Sequence, residues 1–169
     1  MSWRDYAYCY RRAADTLAER FAIPLDSPEA MFLPIVFLYR HAVEAALKGI
    51  LVELGVGADH PTPPPTHHRI REVWREIRPQ IQALPGLLAE EWLERAESLV
   101  HELDAVDPGS MHFRYPVSKT GGALLRPGFT LDVNNLAAAM DDLFYVLDNL
   151  GGYLSAANDF DVEGDAAPA

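Results

Sequence analysis

Cysteine is almost absent. Cys9 stands alone in 169 residues, which excludes an internal disulfide framework and a cysteine-based zinc site. That usage fits a reducing, cytoplasmic setting. Uninterrupted apolar runs are missing as well. The most apolar window, residues 31–54, is broken by Pro34, Arg40, His41, Glu44 and Lys48. So many ionisable groups make a membrane span costly and predict a buried core helix. The first ten residues carry Trp3, Arg4 and Asp5 without an apolar stretch, so no signal peptide is expected. Basic residues are scarce: 14 Lys and Arg against 25 Asp and Glu leave a formal charge of −11. Bulk acidity repels phosphate backbones, so only a local basic patch would bring nucleic acid to this surface. Phosphate-loop chemistry is excluded too, because no lysine–serine/threonine pair follows Gly121-Gly122. His67 and His68 are adjacent with no carboxylate at metalloprotease spacing, so no metal site or cofactor is expected.

What is present is a chain rich enough in apolar residues, 49%, to bury a core. Its punctuation predicts an all-α fold, an up-and-down bundle of four to five helices over residues 1–157, followed by an acidic, mobile tail at 158–169. The first helix spans 2–22, with Ser2 as N-cap, Tyr6, Tyr10, Leu17 and Phe21 near one face, and Pro24 closing it. Ser27-Pro28-Glu29 opens the second, which runs to Leu54 and stops at Gly55 and Gly57. Pro34 either kinks that helix or marks a start near Leu33. His60-Pro61-Thr62-Pro63-Pro64-Pro65 reads as a stiff extended connector. A third helix at 68–82 places Ile70, Trp74, Ile77 and Ile81 at helical spacing. After Pro85-Gly86, a fourth runs to Val106 with Leu88, Trp92, Leu99 and Leu103 inward. Asp107-Pro108-Gly109-Ser110 ends it. Residues 111–130 read as an irregular excursion, with Phe113–Tyr115 and Ala123–Leu125 as short strands of a hairpin. The last helix starts near Asp132 or Asn134 and runs to Ala157 on a stripe of Leu136, Met140, Leu143, Leu147, Leu150 and Leu154.

The second helix carries the chemistry. Arg40, Glu44 and Lys48 recur every four residues, and His41 lies three before Glu44, so all four share one narrow face of a helix that is otherwise apolar. Such a stripe is either an ion-pair ladder, wet or matched by a neighbouring helix, or the wall of a polar cleft. Arg114, held in Phe113-Arg114-Tyr115-Pro116, is the natural other half of a cleft. Its guanidinium is suited to a forked pair with Glu44, to gripping a phosphate, or simply to anchoring its loop. The third helix supplies the basic patch: Arg71, Arg75 and Arg78 share a face, preceded by His67, His68 and Arg69. It reads as a solvated face or as a docking place for an RNA backbone.

Three segments resemble a known family. Tyr39-Arg40-His41-Ala42-Val43-Glu44-Ala45-Ala46-Leu47-Lys48 is similar to the second helix of bacterial HEPN-like domains. Thr66-His67-His68-Arg69-Ile70 with Trp74 beyond it resembles their Thr-His-x-Leu segment. Ser110–Pro116 resembles a Phe-Arg-Tyr-Pro loop of one uncharacterised branch. The resemblance covers residues 33–116 and implies a four- to five-helix bundle, often a homodimer. It further implies a bacterial toxin–antitoxin or phage-defence role, and in many members a metal-independent ribonuclease. The family's catalytic arginine and histidine map by spacing onto Arg95 and His101, although Ala96 replaces the polar residue expected after the arginine. In that case His101 would move the proton of a ribose 2′-hydroxyl and Arg95 would stabilise the phosphorane. Arg40, His41, Glu44, Lys48, His67, Arg114 and Tyr115 are the expected ligand-binding set. The rival reading is a non-catalytic module that holds a nucleotide or a partner protein.

Overall fold

The computed structural model describes residues 1–21, 29–55, 63–84, 86–126 and 128–164. Among them lie five helices: α1 (Trp3–Phe21), α2 (Glu29–Leu54), α3 (Ile70–Gln82), α4 (Glu90–Val106) and α5 (Val133–Gly164). The fold is the expected all-α bundle. Each helix packs on the next in chain order, α5 closes onto α1, and α2 also crosses the middle to meet α5. The expected stops and starts at Pro24, Ser27, Pro28, Gly57, His60–Thr62 and Pro85 lie outside the described residues, as do 165–169 of the tail. No helix among the described residues is long and apolar enough to cross a membrane.

Local chemistry explains the helix ends. The Ser2 hydroxyl accepts the Asp5 amide at 3.2 Å while the Asp5 carboxylate accepts the Ser2 amine at 2.6 Å, a reciprocal cap. The Asp132 carboxylate takes the amides of Asn134 and Asn135 at 2.9 and 3.1 Å and starts α5. Pro34 is accommodated inside α2 near its beginning, so the helix starts before Leu33. Helix α5 continues to Gly164, past the end expected at Ala157. The side chain of Asn158 ties that extension down by donating to the Glu53 carbonyl at 3.1 Å.

The core gathers Ile70, Trp74, Ile77 and Ile81 of α3, and Met140, Leu143, Leu147, Leu150 and Leu154 of α5, around Tyr39, Val43, Leu47 and Ile50 of α2. Two expected core positions move outward. Tyr6 is exposed, and the fully buried positions of α1 are Ala7, Ala14 and Ala18. Small residues are needed there because α1 lies close on α2: a Cβ at Gly49 would stand 2.9 Å from the Trp3 Cβ. Trp92 also reaches the surface, where it packs on Tyr145 at 4.6 Å between ring centres. Its place inside is taken by Leu93, Ala96, Leu99, Val100 and Leu103.

The hairpin is reduced to one antiparallel bridge, Val117 to Ala123. Phe113–Tyr115 form a helical turn, with the amides of Arg114 and Tyr115 both donating to the Met111 carbonyl. The cause is upstream. Asp107 Oδ1 accepts the amides of Met111 and His112 at 2.7 and 3.0 Å, which winds the chain before a strand can begin.

Gly49→Ala tests the α1–α2 approach. Alanine favours a helix by up to about 1 kcal/mol, but its Cβ meets the Trp3 Cβ rather than a yielding side-chain tip. A net loss of about 1–3 kcal/mol is expected in urea unfolding, with a change in Trp3 emission. Equal or greater stability would show that α1 shifts freely.

Candidate functional site

The polar stripe of α2 is almost wholly buried. Arg40 is 0% exposed, Glu44 4% and Lys48 5%, so their charges must be matched within the protein. Glu44 is where they meet. Its Oε2 faces Arg40 Nη1 at 3.3 Å, and its Oε1 accepts from Lys48 Nζ at 2.9 Å and from His68 Nδ1 at 2.8 Å. Burial alone would raise the Glu44 carboxyl. The hydrogen bonds from Lys48 and His68, with the charges of Lys48 and Arg40, hold it below its ordinary value instead. An ionised carboxylate only accepts, so His68 carries its proton on Nδ1. The remainder of the His68 ring is half exposed.

Arg40 reaches further than its helix. Nε donates to the Asp107 carbonyl at 3.3 Å and Nη2 donates to the His68 carbonyl. One side chain therefore ties α2 to the segment before α3 and to the turn after α4. That turn holds Ser110 at φ 54, buries Phe113 against Phe32 and Phe129, and returns Arg114 over the Phe37 ring at 5.5 Å. Arg114 also lies over Tyr115 at 5.4 Å. The forked pair with Glu44 is not formed, because Arg40 and Lys48 already occupy that carboxylate.

His41 completes the mouth. Its ring lies against Tyr10, edge to face at 4.3 Å, and stacks on Phe37 at 5.7 Å. Burial lowers its pKa, Arg114, Arg40 and His68 lower it further, and Glu44 opposes them. The imidazole is therefore neutral at pH 7 and able to accept a proton. A buried Arg40–Glu44–Lys48 floor thus carries a rim of His41, His68, Arg114 and the exposed Tyr115. This arrangement can bind an anion at Arg114 and exchange protons at two imidazoles.

The other expected residues lie elsewhere. His67 turns toward Glu72 at 3.6 Å; its neighbour His68 makes the contact with Glu44. Arg95 pairs with Asp142 of α5 at 3.2 Å, whereas His101 lies 4.0 Å from Glu97. Six residues place the two about 120° apart around α4, so within one chain they do not converge. Arg78 is drawn away from the basic patch by Glu90 and Glu97. Arg71 and Arg75 stay exposed and, with Arg69, line a groove of about 580 Å³ against Pro108, Met111 and His112. No group of three or more His, Cys, Asp or Glu is placed to hold a metal ion among the described residues.

Sequence reasoning missed His68 as a site residue and Asp107 as an organiser. One signal was available for Asp107: an acidic residue at the C-terminal end of a helix opposes the dipole and needs a reason. Comparisons with protein-family models, curated proteins and solved structures find no match.

Glu44→Gln would leave Arg40 and Lys48 buried without a counter-charge, at a cost of about 3–5 kcal/mol. The pH dependence follows from a carboxyl lowered by folding. Its stabilisation is full above the ordinary value of 4.5 and is lost as pH falls through the lower folded value. Urea unfolding across that acid range should show a steeper fall for the parent protein than for Glu44→Gln; parallel curves would contradict the assignment.

Proposed function

We propose that the chain is a HEPN-like protein of bacterial stress or phage defence that cleaves RNA without a metal ion at the His41–His68–Arg114 mouth. The observation that carries this reading is the 2.8 Å contact of Glu44 with His68, set beside a neutral His41 under the field of Arg114. Carboxylate-oriented histidine plus a second imidazole plus a guanidinium is a set suited to phosphodiester transesterification.

In this reading the chemistry is as follows. His41 accepts the proton of the ribose 2′-hydroxyl as that oxygen attacks phosphorus. The bond from phosphorus to the 5′-oxygen breaks, and the leaving oxygen takes a proton from Nε2 of His68. Glu44 holds the opposite edge of that ring and faces it with a counter-charge. Arg114 binds the non-bridging oxygens, whose charge grows in the phosphorane. The products are a 2′,3′-cyclic phosphate and a 5′-hydroxyl. Tyr115, 46% exposed, offers a ring for a base to stack on. Arg71 and Arg75 would take neighbouring phosphates of the strand. The protein would work in the cytoplasm as a homodimer, as the family resemblance implies, and only a second copy would bring an Arg95 toward a His101.

The formal charge of −11 favours a second reading, a non-catalytic module that holds a nucleotide or a partner protein at the same rim. Incubation of the purified protein with total RNA in EDTA separates the two. Cleavage that falls by about 10²–10⁴ in His41→Ala and in His68→Ala is expected, with His101→Ala active. Loss in His101→Ala alone would move the site to α4. No cleavage, together with a thermal shift by nucleotides that Arg114→Ala removes, would favour the binding module.

A further inference from the structure

A second cavity lies away from this rim, where α1 crosses α2 and α5. It encloses about 340 Å³. Its walls are small or apolar: Ala46, Gly49 and Ile50 from α2, Leu147 and Gly151 from α5, and Ala7 from α1. Gly151 is buried, yet a Cβ added there would meet nothing within 4 Å, so the space continues up to its backbone.

The polar groups in this cavity are unevenly matched. Asp5 is held by the Ser2 amine and Asp148 by Arg11 at 3.0 Å. Glu53 is different: its Oε2 is buried with no hydrogen-bond partner among the described residues. Arg4 lines the same cavity without forming an ion pair with Glu53; one of its Nη atoms lies 3.5 Å from where a Gly152 Cβ would stand. Burial pushes the Glu53 carboxyl up, with the charge of Arg4 acting against it. A buried carboxylate oxygen without a donor costs about 1–3 kcal/mol, more when charged. Three carboxylates against one guanidinium give the lining a negative balance, and the missing partner is a donor, preferably a cation.

We propose that this cavity is a binding site for a small organic cation, a primary ammonium on a short alkyl body, with its nitrogen donating to Glu53 and its carbons against Ile50 and Leu147. The chemistry is that of a compact pocket with an apolar wall and one convergent charge. It is independent of the RNA reading, because none of its residues belongs to the His41–His68–Arg114 rim.

Calorimetric titration of the full chain with n-butylammonium chloride tests it, with sodium chloride at matched ionic strength and sodium butyrate as controls. Saturable binding of butylammonium alone is expected, weakened by roughly tenfold or more in Glu53→Gln. Gly151→Leu fills the space and should abolish binding, while the protein melts at or above the parent temperature because leucine is the better helix former. Absence of saturable binding, equal binding of butyrate, or affinity unchanged in Gly151→Leu would overturn the proposal. Should Glu53→Gln fail to fold, the Gly151→Leu result decides.

Discussion

A buried guanidinium and a buried carboxylate, Arg40 and Glu44, are the constraint on which the rest of this structure depends. Neither is stable there alone, because transferring a single charge from water into a helical core costs several kcal/mol. Each therefore dictates where other parts of the chain must go. Glu44 needs more than Arg40 to saturate its two oxygens, so it draws in Lys48 along the helix and His68 across from it. Arg40 has donors left over, and these take the carbonyls of His68 and Asp107. The segments before α3 and after α4 are joined through this one side chain. A hydrophobic replacement of the whole cluster would relieve the desolvation and would lose that positioning.

The rim follows from the floor. Asp107 is buried where Arg40 holds its carbonyl, and its own carboxylate caps the turn that buries Phe113 and leaves Arg114 outside. His41 sits one residue beyond Arg40 on α2, so its ring faces the aromatic pocket of Tyr10 and Phe37 rather than Glu44. Arg114 shares Phe37 with it. Two imidazoles and a guanidinium thus come from three separate stretches of chain. The buried ion pair stabilises their relative placement, and rigid support of that kind is what a catalytic or ligand-binding group requires.

Legibility in the sequence tracked the length scale of the interaction. The inward stripes of α3 and α5 were readable because 3.6-residue periodicity is a property of neighbouring residues. Tyr6 and Trp92 were misplaced for a different reason: apolar spacing cannot say how closely two helices approach, and Gly49 brings α1 too near α2 for a large ring. Phe113–Tyr115 have strand-forming side chains, yet a carboxylate six residues before Phe113 winds them into a turn. Adjacent histidines posed the hardest choice. His67 and His68 are alike in sequence, and only the path of the backbone into α3 sends one to Glu72 and the other to Glu44.

By itself the sequence determined the helix count, the central place of α2 and the shared face of Arg40, Glu44 and Lys48, because each of these rests on spacing within one segment. Tertiary structure decided which charges are buried, which histidine completes the carboxylate's coordination, and that Arg95 and His101 face different neighbours. Those outcomes depend on helix-to-helix distance and on side chains more than twenty residues apart, where loop closure and desolvation outweigh local preference.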